Sequence, residues 1–345
     1  MPDAVEYADV LRSLGQGTAH ALLGNGFSIG CDSVFRYESL YRVAIANGLS
    51  ARAQDVFGRV GTNNFEGVLR LLDDTLWVGQ RYGLGAAGQS QIEADIQIIK
   101  NSLVSSIATT HLENAALVSD AKKAAALKFL TRFTNVFTTN YDLVLYWVIL
   151  SAEGGATFGD GFHAPEADPH ADYLVYTEPT GNRPGTYYLH GALHLYAVDG
   201  ELRKHSWART GRHLTSLIRD GLARGEYPLF VAEGVSSQKL TQIARHGYLS
   251  HCINKFSHFR SPLVIYGHSL GESDNHLIEA LTHNPQLVTI YIGLHGNSRS
   301  ATNEAIANIV DNMIAERRRL IALHGRMGEL EIIYYSAESA SVWDG

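Results

Sequence analysis

The sequence predicts an α/β protein: a Rossmann-like, mostly parallel sheet with helices on both faces, plus an inserted small helical module. Three observations predict it. Seven short apolar runs each end in a small or polar residue, and helical patterns lie between them. The runs do not alternate polar with apolar, which suits strands buried on both faces of a helix-covered sheet. One interval, from about Val34 to Phe133, contains no such run. Alternating strands and helices make a doubly wound sheet, and the interval without strands makes the insertion.

In chain order the predicted strands are AHALLGNG (19–26), NVFTTNYD (135–142), TYYLHG (186–191), YPLFVAEG (227–234), SPLVIYGHS (261–269), LVTIYIG (287–293) and LEIIYYS (330–336). Helices are predicted over 143–152, Ser273–His283 and Ala301–Leu323. Inside the interval 34–133, Asn64 can cap a helix in which Phe65, Val68, Leu69 and Leu72 fall at i, i+3, i+4 and i+7, one buried stripe. Ile92, Ile96, Ile99, Leu103 and Ile107 make a second. Residues 1–345 are therefore read as a single domain carrying the helical module 34–133 within it. Gly154 to Arg183, rich in Gly, Pro, Asp and His, is expected to be an ordered loop or lid bearing on the site.

Composition narrows the function. Apolar residues are 45% of the 345 and charged ones 18%, which is globular, with material for a core. Lys plus Arg number 28 against 35 Asp plus Glu, so the net charge of −7 opposes a phosphate-backbone partner, and no direct nucleic-acid contact is expected. The triplet Arg317-Arg318-Arg319 reads as the solvated face of a helix. Two cysteines, Cys31 and Cys252, cannot build a four-thiolate zinc site and fit a reducing compartment. The opening MPDAVEYADV is acidic and lacks an apolar centre, unlike a signal peptide. The most apolar stretch, Leu143–Leu150, falls short of the ~20 residues needed to span a bilayer. A cytoplasmic location with no membrane partner is the expectation.

Four motifs could carry chemistry. Gly24-Asn25-Gly26-Phe27-Ser28 follows the first strand; its glycines would let backbone approach a phosphate, or would serve a strand-to-helix turn needing positive φ. Thr138-Thr139-Asn140-Tyr141-Asp142 closes the second run, where ligands of open α/β sheets bind; Asp142 could equally cap the next helix. His190-Gly191 can present an imidazole to a cleft, with a pKa near working pH. Among the 16 histidines, His194, His205, His246, His251 and His283 read as structural. The fourth motif, Gly267-His268-Ser269-Leu270-Gly271, is a literal G-x-S-x-G on a strand-turn-helix pattern, the nucleophile elbow of α/β hydrolases. Such a hydrolase needs its acid and then its histidine on later strands. His295 and His324 lack an obvious acid, because Asp311 lies inside a helical pattern. A dehydrogenase would want G-x-G-x-x-G at the first turn and an acidic residue ~20 positions on.

Taken in order, the four motifs resemble the sirtuin family, specifically its bacterial sirtuin-like, zinc-free branch that hydrolyses NAD+. Asp160-Gly161-Phe162 and the helix start Asn64-Phe65-Glu66 resemble features of the same branch. The chain departs from protein-deacetylating sirtuins in lacking their four-cysteine ribbon, and its helical insertion falls at a different place. Asn25 also stands where sirtuins usually carry alanine. The resemblance implies NAD+ as substrate, no metal, and Asn140, His190 and Asp142 as catalytic residues. Asn140 would orient the ribose or the water, Asp142 would bind the nicotinamide side, and His190 would be the general base. It further implies that Gly24, Asn25, Gly26, Phe27, Ser28, Thr139, Gly267, His268, Ser269 and Gly293 hold the dinucleotide. Ser269 then binds cofactor instead of attacking a carbonyl. Its biological implication is antiphage defence by NAD+ depletion, in a homo-oligomer or beside a HerA-type ATPase or an Argonaute, with the helical insertion as a contact surface. Two other classes stay open: a nucleotide sensor or scaffold that binds without cutting, and a serine hydrolase using Ser269.

Overall fold

Six of the seven predicted runs pair side by side as one parallel sheet. The computed structural model describes residues 4–344 except 64, 111, 153–157, 180–183, 232–235, 261 and 326, with backbone alone at 37–40, 66, 107–110, 237 and 238. Its strands are β1 (His20–Leu23), β2 (Asn135–Thr138), β3 (Phe162–His163), β4 (Tyr173–Tyr176), β5 (Gly185–Tyr188), β6 (Gly191–Val198), β7 (Glu201–His205), β8 (Pro228–Phe230), β9 (Leu263–Tyr266), β10 (Thr289–Leu294) and β11 (Glu331–Ser336). The parallel sheet has the order β11-β10-β9-β1-β2-β5. Counted by appearance along the chain, that order is third, second, first, fourth, fifth, sixth read from the β5 edge. It is the doubly wound Rossmann order, whose direction of growth reverses between β1 and β9. Ala21, Leu22 and Leu23 in central β1 are fully buried, which is why that strand reads as an unbroken apolar run.

The seventh run departs from expectation. It forms β8, which belongs to a second, antiparallel sheet in the order β3-β4-β7-β6-β8. The expected loop 154–183 contributes β3 and β4 to that sheet; its residues 154–157 and 180–183 lie outside the described residues. β6 and β7 form a hairpin closed by Asp199 (φ 51°) and Gly200 (φ 83°), the left-handed pair that a two-residue hairpin turn demands. The chain passes from one sheet to the other at His190-Gly191. Gly191 has φ 81°, and a Cβ there would collide with the Leu229 carbonyl oxygen of β8, so only glycine fits.

Between β1 and β2 the described residues hold no strand, and helices run from Asn25 to Leu130. The two apolar stripes behave as their spacing predicts. Phe65, Val68, Leu69 and Leu72 of the helix Phe65–Arg81 are buried, as are Ile96, Ile99 and Leu103 of the helix Ala86–Thr110. Ser50 and Ser119 cap two further helices by accepting amide hydrogen bonds. The expected cap Asn64 and the Ile107 side chain lie outside the described residues. The predicted later helices form as Val144–Leu150, Asn275–His283 and Ala301–His324.

The arginine triplet needs correction. Arg318 and Arg319 are exposed, but Arg317 is fully buried and donates hydrogen bonds to the carbonyls of Thr282, Asn284, Leu287 and Gly328. No helix among the described residues is long and apolar enough to cross a membrane.

Candidate active site

Loops at the carboxyl ends of β1, β2, β5 and β9 enclose a cavity of about 490 Å³, at the point where the sheet's order reverses. Open α/β sheets take their ligands at that position, and the volume is within the range of small-molecule sites. Asn140, Asp142 and His190 all line it, with Asn25, Gly26, Thr139, Gly267, His268 and Ser269. The helical insertion supplies a further wall through Phe65, Gly67, Arg70 and Leu103.

Asn140 is fixed from β1. Its backbone N–H donates to the Thr138 hydroxyl at 3.0 Å, while Nδ2 donates to the Gly24 carbonyl at 3.0 Å and to Ser28 Oγ at 2.9 Å. The Gly24 carbonyl can only accept, which assigns the amide orientation. Both amide protons are thereby engaged, so Asn140 offers a ligand its carbonyl oxygen, an acceptor. Ser28 in turn hydrogen-bonds Asp142, joining Asn140, Ser28 and Asp142 in one buried chain. Asp142 also accepts from the Val144 N–H at 2.8 Å, so it holds the first amide of the helix Val144–Leu150 while lining the cavity, although the N-cap position itself is Leu143. Burial raises the Asp142 pKa against the pull of these hydrogen bonds, which favours its protonated, donating form.

The glycine loops do something other than expected. The Gly24 N–H donates to the Tyr266 carbonyl and the Gly26 N–H to the Gly267 carbonyl at 2.8 Å, so neither amide faces a ligand. A Cβ on Gly26 would come within 2.6 Å of Gly267 Cα, and one on Gly267 within 2.6 Å of the Phe27 nitrogen. These glycines let the loops after β1 and β9 touch, which closes the floor of the cavity. Phe27 is core: it packs on Trp343 and its carbonyl accepts from the indole N–H. Gly293 lies inside β10 against the Tyr335 ring and is absent from the cavity lining. Gly24, Phe27, Ser28 and Gly293 therefore do not line the cavity, though Gly24 and Ser28 hold Asn140, which does.

His190 stands on a polar cluster that the sequence reading missed. Its Nε2 lies 3.0 Å from His276 Nε2 and 3.8 Å from Asp274 Oδ1. Asp274 Oδ1 accepts from the fully buried Lys239 at 3.0 Å, and Asp274 Oδ2 is 3.4 Å from His268 Nε2. His268 Nδ1 accepts from the Leu270 N–H, which leaves its Nε2 as the protonated, donating nitrogen. Leu270 itself holds a left-handed φ of 53°, so the loop accepts backbone strain while placing that imidazole. Burial and then the Lys239 charge push the His190 pKa well below 6.5, with only Asp274 pulling upward. Burial lowers His276 to about 4. Burial alone would raise the Asp274 pKa, but the His268 hydrogen bond and the Lys239 ammonium outweigh it and hold the carboxylate ionised. The cluster therefore combines the neutral imidazoles of His190 and His276 with one ammonium–carboxylate pair.

Two signals could have found these residues. Lys239 and the buried Ile243 are four apart on the helix Ser236–Ala244, so periodicity puts the lysine on an inward face. Asp274 and His276 sit at the start of a helix five and seven residues after Ser269, at the carboxyl end of a central strand. His190, Asp274 and His276 bring donor atoms within 4.8 Å of one another, the spread of a metal site. The Lys239 ammonium, however, already donates to the carboxylate a divalent cation would need. Both thiols are buried with pKa values pushed up to about 12, so neither is a ready nucleophile. Ser269 is exposed at the rim, and no described imidazole hydrogen-bonds its hydroxyl.

The profile of one protein family, described as a domain of unknown function (DUF4917), matches residues 21–343. No curated protein matches the chain.

Proposed function

The chain belongs to the DUF4917 family, and from the residues gathered in its cavity we propose that it is an NAD+ glycohydrolase, cleaving the nicotinamide–ribose bond to give nicotinamide and ADP-ribose. One observation carries the reading. A doubly wound sheet of Rossmann order has its cavity at the switch point, and that cavity joins Asn140, Asp142 and His190 without a nucleophilic thiol. In the reaction the C1′–N bond breaks and its electron pair neutralises the pyridinium nitrogen, so nicotinamide leaves uncharged. Positive charge develops at C1′, as in glycoside hydrolysis. Water then bonds to C1′ and its proton passes to His190.

The side chains fit those needs. The Asn140 carbonyl oxygen can hold a water or a ribose hydroxyl by accepting its proton. Asp142 can hydrogen-bond the nicotinamide carboxamide, donating to its oxygen when protonated and accepting from its N–H when ionised. His190, being neutral, adds no positive charge beside the developing cation. Its lowered pKa makes it a weak base, which suffices for water attacking so strong an electrophile. The test is product analysis of pure protein with NAD+: nicotinamide and ADP-ribose in wild type, neither in Asn140→Ala. Persistent NAD+ in the presence of demonstrated binding would reject the reading in favour of a non-cutting sensor.

With the glycine amides engaged internally, the pyrophosphate needs another partner. Of the described lining residues Arg70 alone carries a fixed positive charge. Its exposed pairs with Asp74 and Glu272 are of the kind worth about 0–1 kcal/mol, so a phosphate can take them over. Arg70→Ala is expected to raise KM for NAD+ about 10- to 100-fold with kcat little changed, one charge-assisted hydrogen bond being worth ~1.5–3 kcal/mol. A KM equal to wild type would remove Arg70 from the site.

The proposal extends to antiphage defence by NAD+ depletion in the cytoplasm, controlled by homo-oligomer assembly or by a partner such as a HerA-type ATPase or an Argonaute. Leu71, Trp77, Val78 and Tyr82, exposed on and just after the helix that walls the cavity, support an interface there. Equal NAD+ turnover per chain in monomer and assembly would refute regulation by assembly.

A further inference from the structure

Behind the cavity wall lies a fully buried lysine, an arrangement with no stabilising rationale of its own. Taking an ammonium and a carboxylate out of water costs as much as their attraction returns, and apolar residues would pack as well. Here Lys239 is fully buried and absent from the cavity lining, while its partner Asp274 lines the cavity. The pair therefore points its negative end at the cavity and its positive end into the core.

We propose that Lys239, Asp274 and His276 are positioning residues for His190: the ion pair holds the imidazole uncharged beside the reaction centre, and His276 fixes its ring. This rests on the glycohydrolase reading. The groups facing His190 are Lys239 from the helix Ser236–Ala244, His268 from the loop after β9, Asp274 from the turn that follows, and His276 from the helix Asn275–His283. Lys239 disfavours protonation of His190, Asp274 favours it, and burial adds to the lysine. The His190–His276 contact at 3.0 Å is a hydrogen bond only if one Nε2 carries a proton and the other does not. A proton added to either ring would place a positive charge in a buried site beside the Lys239 ammonium, so the neutral pair is favoured. An imidazolium here would repel the cation forming at C1′, whereas the exposed end of the ion pair attracts it. One device thus sets the protonation state of the base and the sign of the field.

The experiment follows the His190 imidazole by NMR across pH in the full chain, beside kcat and KM for NAD+. Lys239→Gln keeps a donor for Asp274 but removes the charge, and is expected to raise the His190 pKa by about one to three pH units. The acid limb of kcat/KM should move up with it. Lys239→Arg restores the charge and should return both to the wild-type position. Asp274→Asn is expected not to raise the His190 pKa, and to lower kcat tenfold or more with KM held within twofold. His276→Gln should show the same kcat–KM split. A purely structural lysine would leave the His190 titration unmoved in the folded Gln variant, and that result overturns the proposal. So would a stoichiometric divalent metal in the purified protein, which would occupy the place of the ammonium. If Lys239→Gln does not fold, Asp274→Asn decides, and an unchanged kcat rejects the proposal. Because the titration is read without substrate, a protein that does not cleave NAD+ yet shows the shift would refute the activity while sparing the electrostatic coupling.

Discussion

His190→Ala is expected to lower kcat for NAD+ cleavage about 10²- to 10⁴-fold, the usual worth of a positioned general base, with KM changed little. The change should act locally. The His190 backbone carbonyl still accepts from Val231, and the turn into β6 is set by Gly191. What disappears is the imidazole at the cavity wall and one partner of His276. His190→Gln separates the two losses, because it can keep a hydrogen bond to His276 but cannot take a proton at neutral pH. Equal defects in the two variants would identify proton transfer as the lost function, and a much milder defect in Gln would identify packing. The pH dependence is signed. Activity requires neutral His190, whose pKa lies well below 6.5. The acid limb of kcat/KM in wild type should therefore fall well below pH 6.5, and an ordinary imidazole limb would contradict the burial-and-lysine environment. A His190→Ala enzyme as fast as wild type would remove His190 from the chemistry.

The positions of Asn140, Asp142 and His190 were legible because each follows an apolar run, and strand ends are where open sheets gather their ligands. The runs were legible because burial on both faces forbids polar alternation, as in β1. The second sheet was hidden for opposite reasons. β3 is two residues long, β4 lies in a Gly-, Pro- and Asp-rich stretch, and β8 has the same apolar look as a parallel strand. One clue stood in plain view: Val198-Asp199-Gly200-Glu201 is the hairpin turn pattern, and Val198 does pair with Glu201. The glycines of the first and last motifs were legible as special but not as to why. A phosphate and a neighbouring loop both demand the missing Cβ, and only coordinates separate them. Lys239 and His276 are easily passed over because they lie on helices, where a polar residue ordinarily faces water, and Asp274 because it sits in the turn before one.

Arg317→Ala is expected to leave the protein largely unfolded. The guanidinium donates to four backbone carbonyls at 2.7–2.9 Å, belonging to Thr282, Asn284, Leu287 and Gly328. It thereby ties the end of the helix Asn275–His283 to the chain entering β10 and to the chain approaching β11. Removing it strands the Thr282, Leu287 and Gly328 carbonyls in the interior at about 1–3 kcal/mol each, while Asn284 keeps the Leu287 N–H, and opens a cavity besides. Three such losses approach the whole stability of an ordinary domain, ~5–15 kcal/mol. Arg317→Lys should rescue only in part, since one ammonium cannot reach three directions with the geometry of a planar fork. Arg318→Ala and Arg319→Ala, on the exposed side, should change stability by no more than about 0.5 kcal/mol. Urea unfolding of the four variants checks the ranking, and an Arg317→Ala midpoint equal to that of Arg318→Ala would refute it. The distinction among three adjacent arginines was available in the periodicity. Ile306, Val310, Met313, Arg317 and Leu320 fall at spacings of four, three, four and three and are all buried, which puts Arg317 on the inward stripe of the helix and turns Arg318 and Arg319 away from it. A cation on an apolar stripe must bring its acceptors with it, and four converging carbonyls are what a permanently charged, unpaired guanidinium requires to stay there.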